Sequence, residues 1–266
     1  MCFICLMRKK LGQHFLKDPK TLQRVADGLD LKKGETVIEI GPGHGELTDE
    51  LRIRNKELEI LAIEKDTGLV SYLRKKFSDD KKIEIIEGGA LRALPSIIHS
   101  SKSQIQGYKL VGNIPYYITG YLFRVIEGLE NKPKICVFTI QEEVAERIVA
   151  EPPKMNKLSA SIQFWAEPEI LGMVSRKLFS PPPEVDSAVI KLDVRCRTLD
   201  VDRDKYYKMV NILFKQPRKT ILNNLSEGFI LEKKEIIGKL LELGLDSCLR
   251  PQNLSVEMIV RVIEKL

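Results

Sequence analysis

The chain is an α/β protein built on a doubly wound, mostly parallel sheet with an antiparallel last strand, followed by a small all-α domain. Three observations predict this. From residue 36 to about residue 150, β-branched apolar runs alternate with amphipathic helical stretches, the pattern of βαβ units on a parallel sheet. Two later runs, 169–174 and 188–194, flank LFSPPPEVDS with no helix between them, and strands joined in that way are antiparallel neighbours. Beyond Arg197 the periodicity is purely helical, over 202–215, 217–225, 233–243 and 255–265. The predicted division is a first domain over 1–195 and a helical one over 196–266.

The sheet opens with TVIEIGPGHGELT at 36–48. Val37, Ile38 and Ile40 read as a strand buried on both faces, with Glu39 as its one polar interruption. Gly41, Gly43 and Gly45 then let the backbone turn tightly and let a ligand approach it. The next apolar run ends at Glu64, about twenty residues on, where dinucleotide and nucleoside folds place a carboxylate on ribose hydroxyls. Asp66 caps a helix running to Phe77, 83–88 is a third strand, and a helix begins at Ala90. Residues 109–113 form a fourth strand that breaks at Pro115. A helix over 121–129, a strand over 135–141 and a helix over 142–150 follow, and 158–165 is helical.

Composition narrows the function class. With 266 residues and 43% hydrophobic content the chain can bury a full core. No apolar run approaches a membrane span, and the opening MCFICLM is too short for a secretory signal. Five scattered cysteines do not make a disulfide framework, so a reducing cytoplasm is expected. Cys2 and Cys5 have CxxC spacing without a second pair, and no metal site is predicted. The net charge is +6. Residues 1–34 hold eight Lys/Arg against three acids, 196–266 hold thirteen against ten, and the middle holds 22 against 24. Basic ends around a slightly acidic middle suit a polyanion gripped outside the reaction pocket.

The tetrad Asn113-Ile114-Pro115-Tyr116 follows a strand end, where α/β folds place their chemistry. An exocyclic adenine amine is a poor nucleophile because its lone pair is delocalised into the ring. The Asn113 amide oxygen and the Ile114 carbonyl can both accept from that amine and favour a pyramidal nitrogen. Pro115 fixes the direction of the carbonyl, and Tyr116 offers a face on which a base can stack. An antiparallel pair closing a parallel sheet is moreover the arrangement of Rossmann-like methyltransferases.

With these residues the chain resembles the ribosomal RNA adenine dimethyltransferases of the KsgA type, which use S-adenosyl-L-methionine. The resemblance runs through LGQHFL at 11–16, EIGPGHGELT at 39–48, Glu64, NIPY at 113–116, KLSASIQ at 157–163, FSPPPEVDSAV at 179–189 and PRKTILNNL at 217–225. It implies a cofactor site of His14, Leu16, Gly41, Gly43, Glu64, Gly89, Ala90 and Asn113, with Glu64 on the ribose. It implies that Tyr116 and Phe179 sandwich a flipped target adenine. It also implies phosphate contacts from Arg8, Lys9, Lys10, Arg218 and Lys219. The expected activity is dimethylation of N6 on two adjacent adenosines near the 3′ end of 16S ribosomal RNA, in an immature small subunit, by a monomer. Two alternatives stand beside it: a 23S ribosomal RNA adenine-N6 methyltransferase giving antibiotic resistance, and a catalytically weakened ribosome-assembly factor.

One residue departs from the family pattern. The family carries an aspartate after its third strand that accepts from the cofactor's adenine amine, and here the motif reads Gly88-Gly89-Ala90-Leu91. A missing bond of this kind costs about 1–3 kcal/mol. Glu87 is the nearby carboxylate placed to take over the role.

Overall fold

The computed structural model describes residues 13–99, 105, 107–195, 199–229 and 231–266. Its strands are β1 (Phe15–Leu16), β2 (Thr36–Ile40), β3 (Glu59–Glu64), β4 (Ile83–Glu87), β5 (Lys109–Asn113), β6 (Ile135–Gln141), β7 (Glu167–Val174), β8 (Phe179–Ser180) and β9 (Ser187–Asp193). Seven form one sheet in the order β4-β3-β2-β5-β6-β9-β7, while β1 and β8 pair separately as an antiparallel ribbon. The contiguous pairs from β4 through β6 are parallel, and β9 runs antiparallel to β6.

Strand order reverses between β2 and β5, so the chain leaves the carboxyl ends of these neighbours in opposite directions and opens a crevice there. The register pairs Ile40 with Gly112. The glycine turn and Asn113 therefore emerge side by side.

The β2 side chains explain both the strand and its anomaly. Val37, Ile38 and Ile40 are at most 2% exposed, and each such burial stabilises the fold by about 1.5–3 kcal/mol. Glu39 is buried among them, and its carboxyl accepts a 2.6 Å bond from the Thr48 hydroxyl. Burial pushes this carboxyl up to about 7, against the smaller opposing effect of the Thr48 bond. The folded chain thus holds a proton that the unfolded chain gives up near pH 4.5, so the stabilising contribution is complete below that pH and is lost as pH rises through about 7. Over this window the wild type is expected to lose about 3 kcal/mol relative to Glu39→Gln. Urea unfolding of both proteins at pH 5 and pH 8 checks it, and parallel profiles contradict it.

A second buried charge closes the opposite end of the sheet. Lys109 is 1% exposed, and its ammonium donates to the Glu35 carboxylate at 2.5 Å and to the Asp30 carbonyl. The carboxylate and the carbonyl take two of the three donors of the buried ammonium.

The chain divides into two compact units. One runs to Ala145 and resumes over Glu169–Arg195, and the other comprises Glu146–Pro168 with Cys196–Leu266. The predicted first domain ran over 1–195, whereas the compact units group 146–168 with the helical residues that follow 195. The reason is local packing: the Phe164 ring lies 3.9 Å from that of Tyr206, nearly parallel, and the Tyr206 hydroxyl donates to the Ala160 carbonyl at 2.9 Å. Helix Lys157–Gln163 is thereby bound to helix Arg203–Leu213. The helical unit has its own core around Met209, Leu213, Ile221, Leu225 and Ile259.

The helix predicted over 217–225 is displaced to Ile221–Phe229. Thr220 acts as its cap, accepting from the Asn223 amide, and the Asn224 amide nitrogen donates back to the Gln216 carbonyl. Pro217, Arg218 and Lys219 consequently sit in the preceding turn.

Candidate active site

A cavity of about 450 Å³ opens at the carboxyl ends of β2, β3, β4 and β5, within the size range of small-molecule sites. Gly41, Gly43 and Gly45 hold φ of 68°, 61° and 84°, a backbone that any other residue adopts with strain. A Cβ on Gly43 would come within 2.8 Å of the Phe15 ring. The turn is thus shaped both by its own conformation and by the segment that crosses it.

Glu64 reaches back across the crevice. Its carboxylate accepts from the amides of Lys65 at 2.8 Å, Asp66 at 2.9 Å and Gly43 at 3.3 Å. Desolvation raises its pKa, with these three backbone bonds opposing the shift. Oε1 accepts from Lys65 and Asp66 and Oε2 from Gly43, so Oε2 retains capacity toward a ligand hydroxyl.

Asn113 is held from the other side. Its Nδ2 donates to the His14 carbonyl at 2.6 Å. That bond turns the Oδ1 atom away from His14 and leaves it as the acceptor of the amide. The Ile114 amide donates to the Thr139 carbonyl at 3.1 Å, anchoring the tetrad to β6. Pro115 has φ −56° and ψ 129°, and its carbonyl accepts from the Ile118 amide. The Tyr116 hydroxyl lies 2.8 Å from Ser187 Oγ, which fixes the far end of its ring.

The β1–β8 ribbon brings in the remaining groups. Leu16 pairs with Phe179 and Phe15 with Ser180, and His14 Nδ1 donates to the Pro181 carbonyl at 2.8 Å. Phe179 is 5% exposed and forms part of the cavity wall.

Of the sequence-predicted residues, His14, Gly41, Gly43, Glu64, Gly89, Ala90, Asn113, Ile114, Pro115, Tyr116 and Phe179 line this one cavity. Leu16 does not. Neighbours on a strand face opposite ways, so Phe15 faces the cavity and Leu16 turns into the hydrophobic core, 6% exposed. Arg218 and Lys219 are exposed in the helical unit, with Lys219 on Glu227 at 2.6 Å. Arg8, Lys9 and Lys10 lie outside the described residues. Sequence reasoning missed Phe15, Ile63, Leu91 and Tyr117 on the wall. For Tyr117 the signal was present, since it directly follows the tetrad. Phe15 gave none, because its place depends on a pairing more than 160 residues away.

Comparison with known proteins decides the family. The model of the family described as ribosomal RNA adenine dimethylase matches residues 5–265. The chain belongs to this family. Among its relatives, a ribosomal RNA small subunit methyltransferase A of Dehalococcoides mccartyi is 37% identical over 94% of this chain and 85% of its own length. The same-named protein of Moorella thermoacetica is 35% identical over 97% of this chain and 92% of its own. Among solved structures, the 23S rRNA methyltransferase ErmE has a TM-score of 0.76 at 26% identity, covering 95% of this chain and 99% of that one.

Position 89, where the resemblance implies an aspartate, is a glycine with open surroundings. Gly89 lies on the cavity wall, and a Cβ there would meet no atom within 4 Å. Its φ is outside the left-handed region, unlike the 156° of Gly88. Glu87 does not replace the missing acid: it is exposed, lies off the cavity wall and faces Arg74 at 4.0 Å. Aspartate at position 89 therefore has both room and backbone freedom. Gly89→Asp is expected to tighten S-adenosylmethionine binding two- to tenfold, about 0.5–1.5 kcal/mol for one added bond. Calorimetry against Gly89→Ala and Glu87→Gln checks it, with neither control expected to gain affinity. Equal affinity of the aspartate variant and the wild type contradicts the placement of the cofactor's adenine.

Proposed function

We propose that this chain is the enzyme that places two methyl groups on N6 of each of two adjacent adenosines near the 3′ end of 16S ribosomal RNA. The observation that carries the reading is the tetrad itself, with acceptors at Asn113 and Ile114 facing the same cavity as the glycine turn and Glu64.

The donor set fits S-adenosyl-L-methionine. Glu64 is positioned for ribose hydroxyls, the glycine turn admits close approach of the methionine portion, and Ile63, Ala90 and Leu91 give the adenine an apolar wall. When bound, this cofactor supplies an electrophilic methyl group. The protein residues act on the other reactant. Asn113 Oδ1 and the Ile114 carbonyl would accept hydrogen bonds from the amine, from two N–H groups in the first transfer and from the one that remains in the second, favouring a pyramidal nitrogen. Tyr116 and Phe179 hold the flipped base between them, replacing the stacking it lost on leaving the RNA. No general base is required. The nitrogen becomes strongly acidic on alkylation and passes its proton to water.

The substrate is taken as an immature small subunit, met by a monomer in the cytoplasm, with Arg218, Lys219 and the basic residues 8–10 on phosphates. Among the described residues no helix is long and apolar enough to cross a membrane. Similarity to ErmE supports a second reading, methylation of large-subunit RNA. The relatives with 35–37% identity, named for the small subunit, favour the first.

The test offers labelled S-adenosylmethionine with small or large subunits lacking the mark. Label in the small subunit alone is expected. Label in the large subunit supports the second reading, and cofactor binding without transfer to either supports an assembly factor that has lost activity.

A further inference from the structure

The helix that follows the tetrad, Thr119–Gly128, buries Leu122, Phe123 and Ile126 against the sheet. Its opposite face carries two large exposed aromatics. Tyr117, in the turn just before the helix, is 57% exposed and also forms part of the cavity wall. Tyr121, four residues on, is 62% exposed. Tyr117 lies in a 3-10 turn on the cavity wall and Tyr121 in the first turn of the helix that continues it, so the two exposed rings follow one another outward from the wall as a stripe. Arg124 extends it, with its guanidinium carbon 5.8 Å from the Tyr121 ring centroid. Gly120, between them in sequence, has nothing within 4 Å of where its Cβ would be.

Tyrosine rings exposed in line, backed by a cation and continuous with a base-binding cavity, have the composition of a platform for single-stranded nucleic acid. A flipped adenosine can enter the cavity only if the strand beside it is also unstacked and led away from the mouth. We infer that Tyr117 and Tyr121 form a second base-stacking subsite, which takes the unpaired purine next to the adenosine being methylated, while Arg124 meets the phosphate beyond it. This deepens the proposed function and rests on it: the occupant is the partner adenosine of the same target pair. The subsite holds one adenosine of the pair while its neighbour reacts.

The experiment uses the full chain, unmarked small subunits and a fluorescently labelled single-stranded RNA carrying two adjacent adenosines. Tyr121→Ala and Tyr121→Leu are expected to raise KM for the subunit and Kd for the RNA by about five- to a hundredfold, the range for one lost stack. Affinity for S-adenosylmethionine and thermal stability are expected to stay at wild-type values, because Tyr121 is exposed and off the cavity wall. Tyr121→Phe, which keeps the flat face, is expected to restore KM. Arg124→Ala is expected to lower the slope of log affinity against log salt by about 0.7, one phosphate on a single strand. Wild-type KM in both Tyr121→Ala and Tyr121→Leu overturns the subsite. So does a raised KM for subunits with unchanged binding of the free RNA, which would mean that the stripe meets a ribosomal protein. Absence of transfer by the wild type refutes the proposed function instead, and the free-RNA arm still reads the subsite.

Discussion

Asn113→Ala is expected to slow methyl transfer by about a hundred- to a thousandfold, the usual cost of removing one preorganised polar contact to the reacting centre. The side chain has two tasks, and the structure separates them. Nδ2 donates to the His14 carbonyl at 2.6 Å and ties the crossing segment to the end of β5. Oδ1, turned away by that bond, is the atom proposed to accept from the amine. Asn113→Asp keeps an acceptor but loses the donor and sets a carboxylate against the His14 carbonyl. If acceptance dominates, the aspartate variant retains more turnover than the alanine variant. If tethering dominates, the two are equally impaired and Phe179, which reaches the cavity through the same ribbon, is displaced with His14. Single-turnover rates on unmarked small subunits, with RNA affinity measured beside them, distinguish the cases. Turnover near wild type in Asn113→Ala would remove the mechanism.

Glu64→Ala is expected to weaken S-adenosylmethionine binding by more than about a hundredfold, since two charge-assisted bonds to ribose are each worth about 1.5–3 kcal/mol. A structural cost adds to this. The carboxylate also accepts from the amides of Gly43, Lys65 and Asp66, so alanine leaves three donors without their acceptor and loosens the glycine turn. Glu64→Gln restores one acceptor oxygen and should recover part of the loss. The pH dependence has a definite sign. Desolvation raises this carboxyl's pKa, and ribose hydroxyls held there would donate to the ionised form. Affinity is therefore expected to fall on acidification at a higher pH than an ordinary glutamate would give, with Glu64→Gln showing a flatter profile in that range. Calorimetry between pH 5 and pH 8 reads both effects. A glutamine variant that follows the wild-type profile would place the titrating group elsewhere.

Much of the first unit was legible because its signals are local. Val37, Ile38 and Ile40 announce a buried strand by their β-branching, the following glycines announce the turn, and the distance to Glu64 follows from one strand–helix–strand passage. Asn113 was legible because Pro115 ends the strand it follows. What failed to show was long-range or alternating in face. Phe15 and Leu16 form a strand of only two residues, too short for any periodicity, whose partner lies at Phe179–Ser180. Nothing in the sequence says which of the two faces the cavity. The allegiance of 146–168 to the helical unit depends on Phe164 meeting Tyr206, a contact between segments that each read as ordinary amphipathic helices. The start of the helix at Ile221 was misplaced because Pro217 resembles a first-turn proline, whereas Thr220 is the residue that caps it. Gly89 shows the opposite relation. The sequence marked it as a departure, and only its surroundings revealed the room left for an aspartate.

Whether one cavity dimethylates two neighbouring adenosines of small-subunit RNA can be read from the mass of the modified fragment. Unmarked small subunits are incubated with the wild-type chain and S-adenosylmethionine, their RNA is cut with a sequence-specific nuclease, and the 3′-terminal fragment is weighed and then digested to nucleosides. The expected fragment is heavier by two methyl groups on each of two adjacent adenosines, with N6,N6-dimethyladenosine as the nucleoside, and no such gain is expected with Asn113→Ala. Methyl groups on any other base, or an unchanged fragment from protein that binds the cofactor, would contradict it.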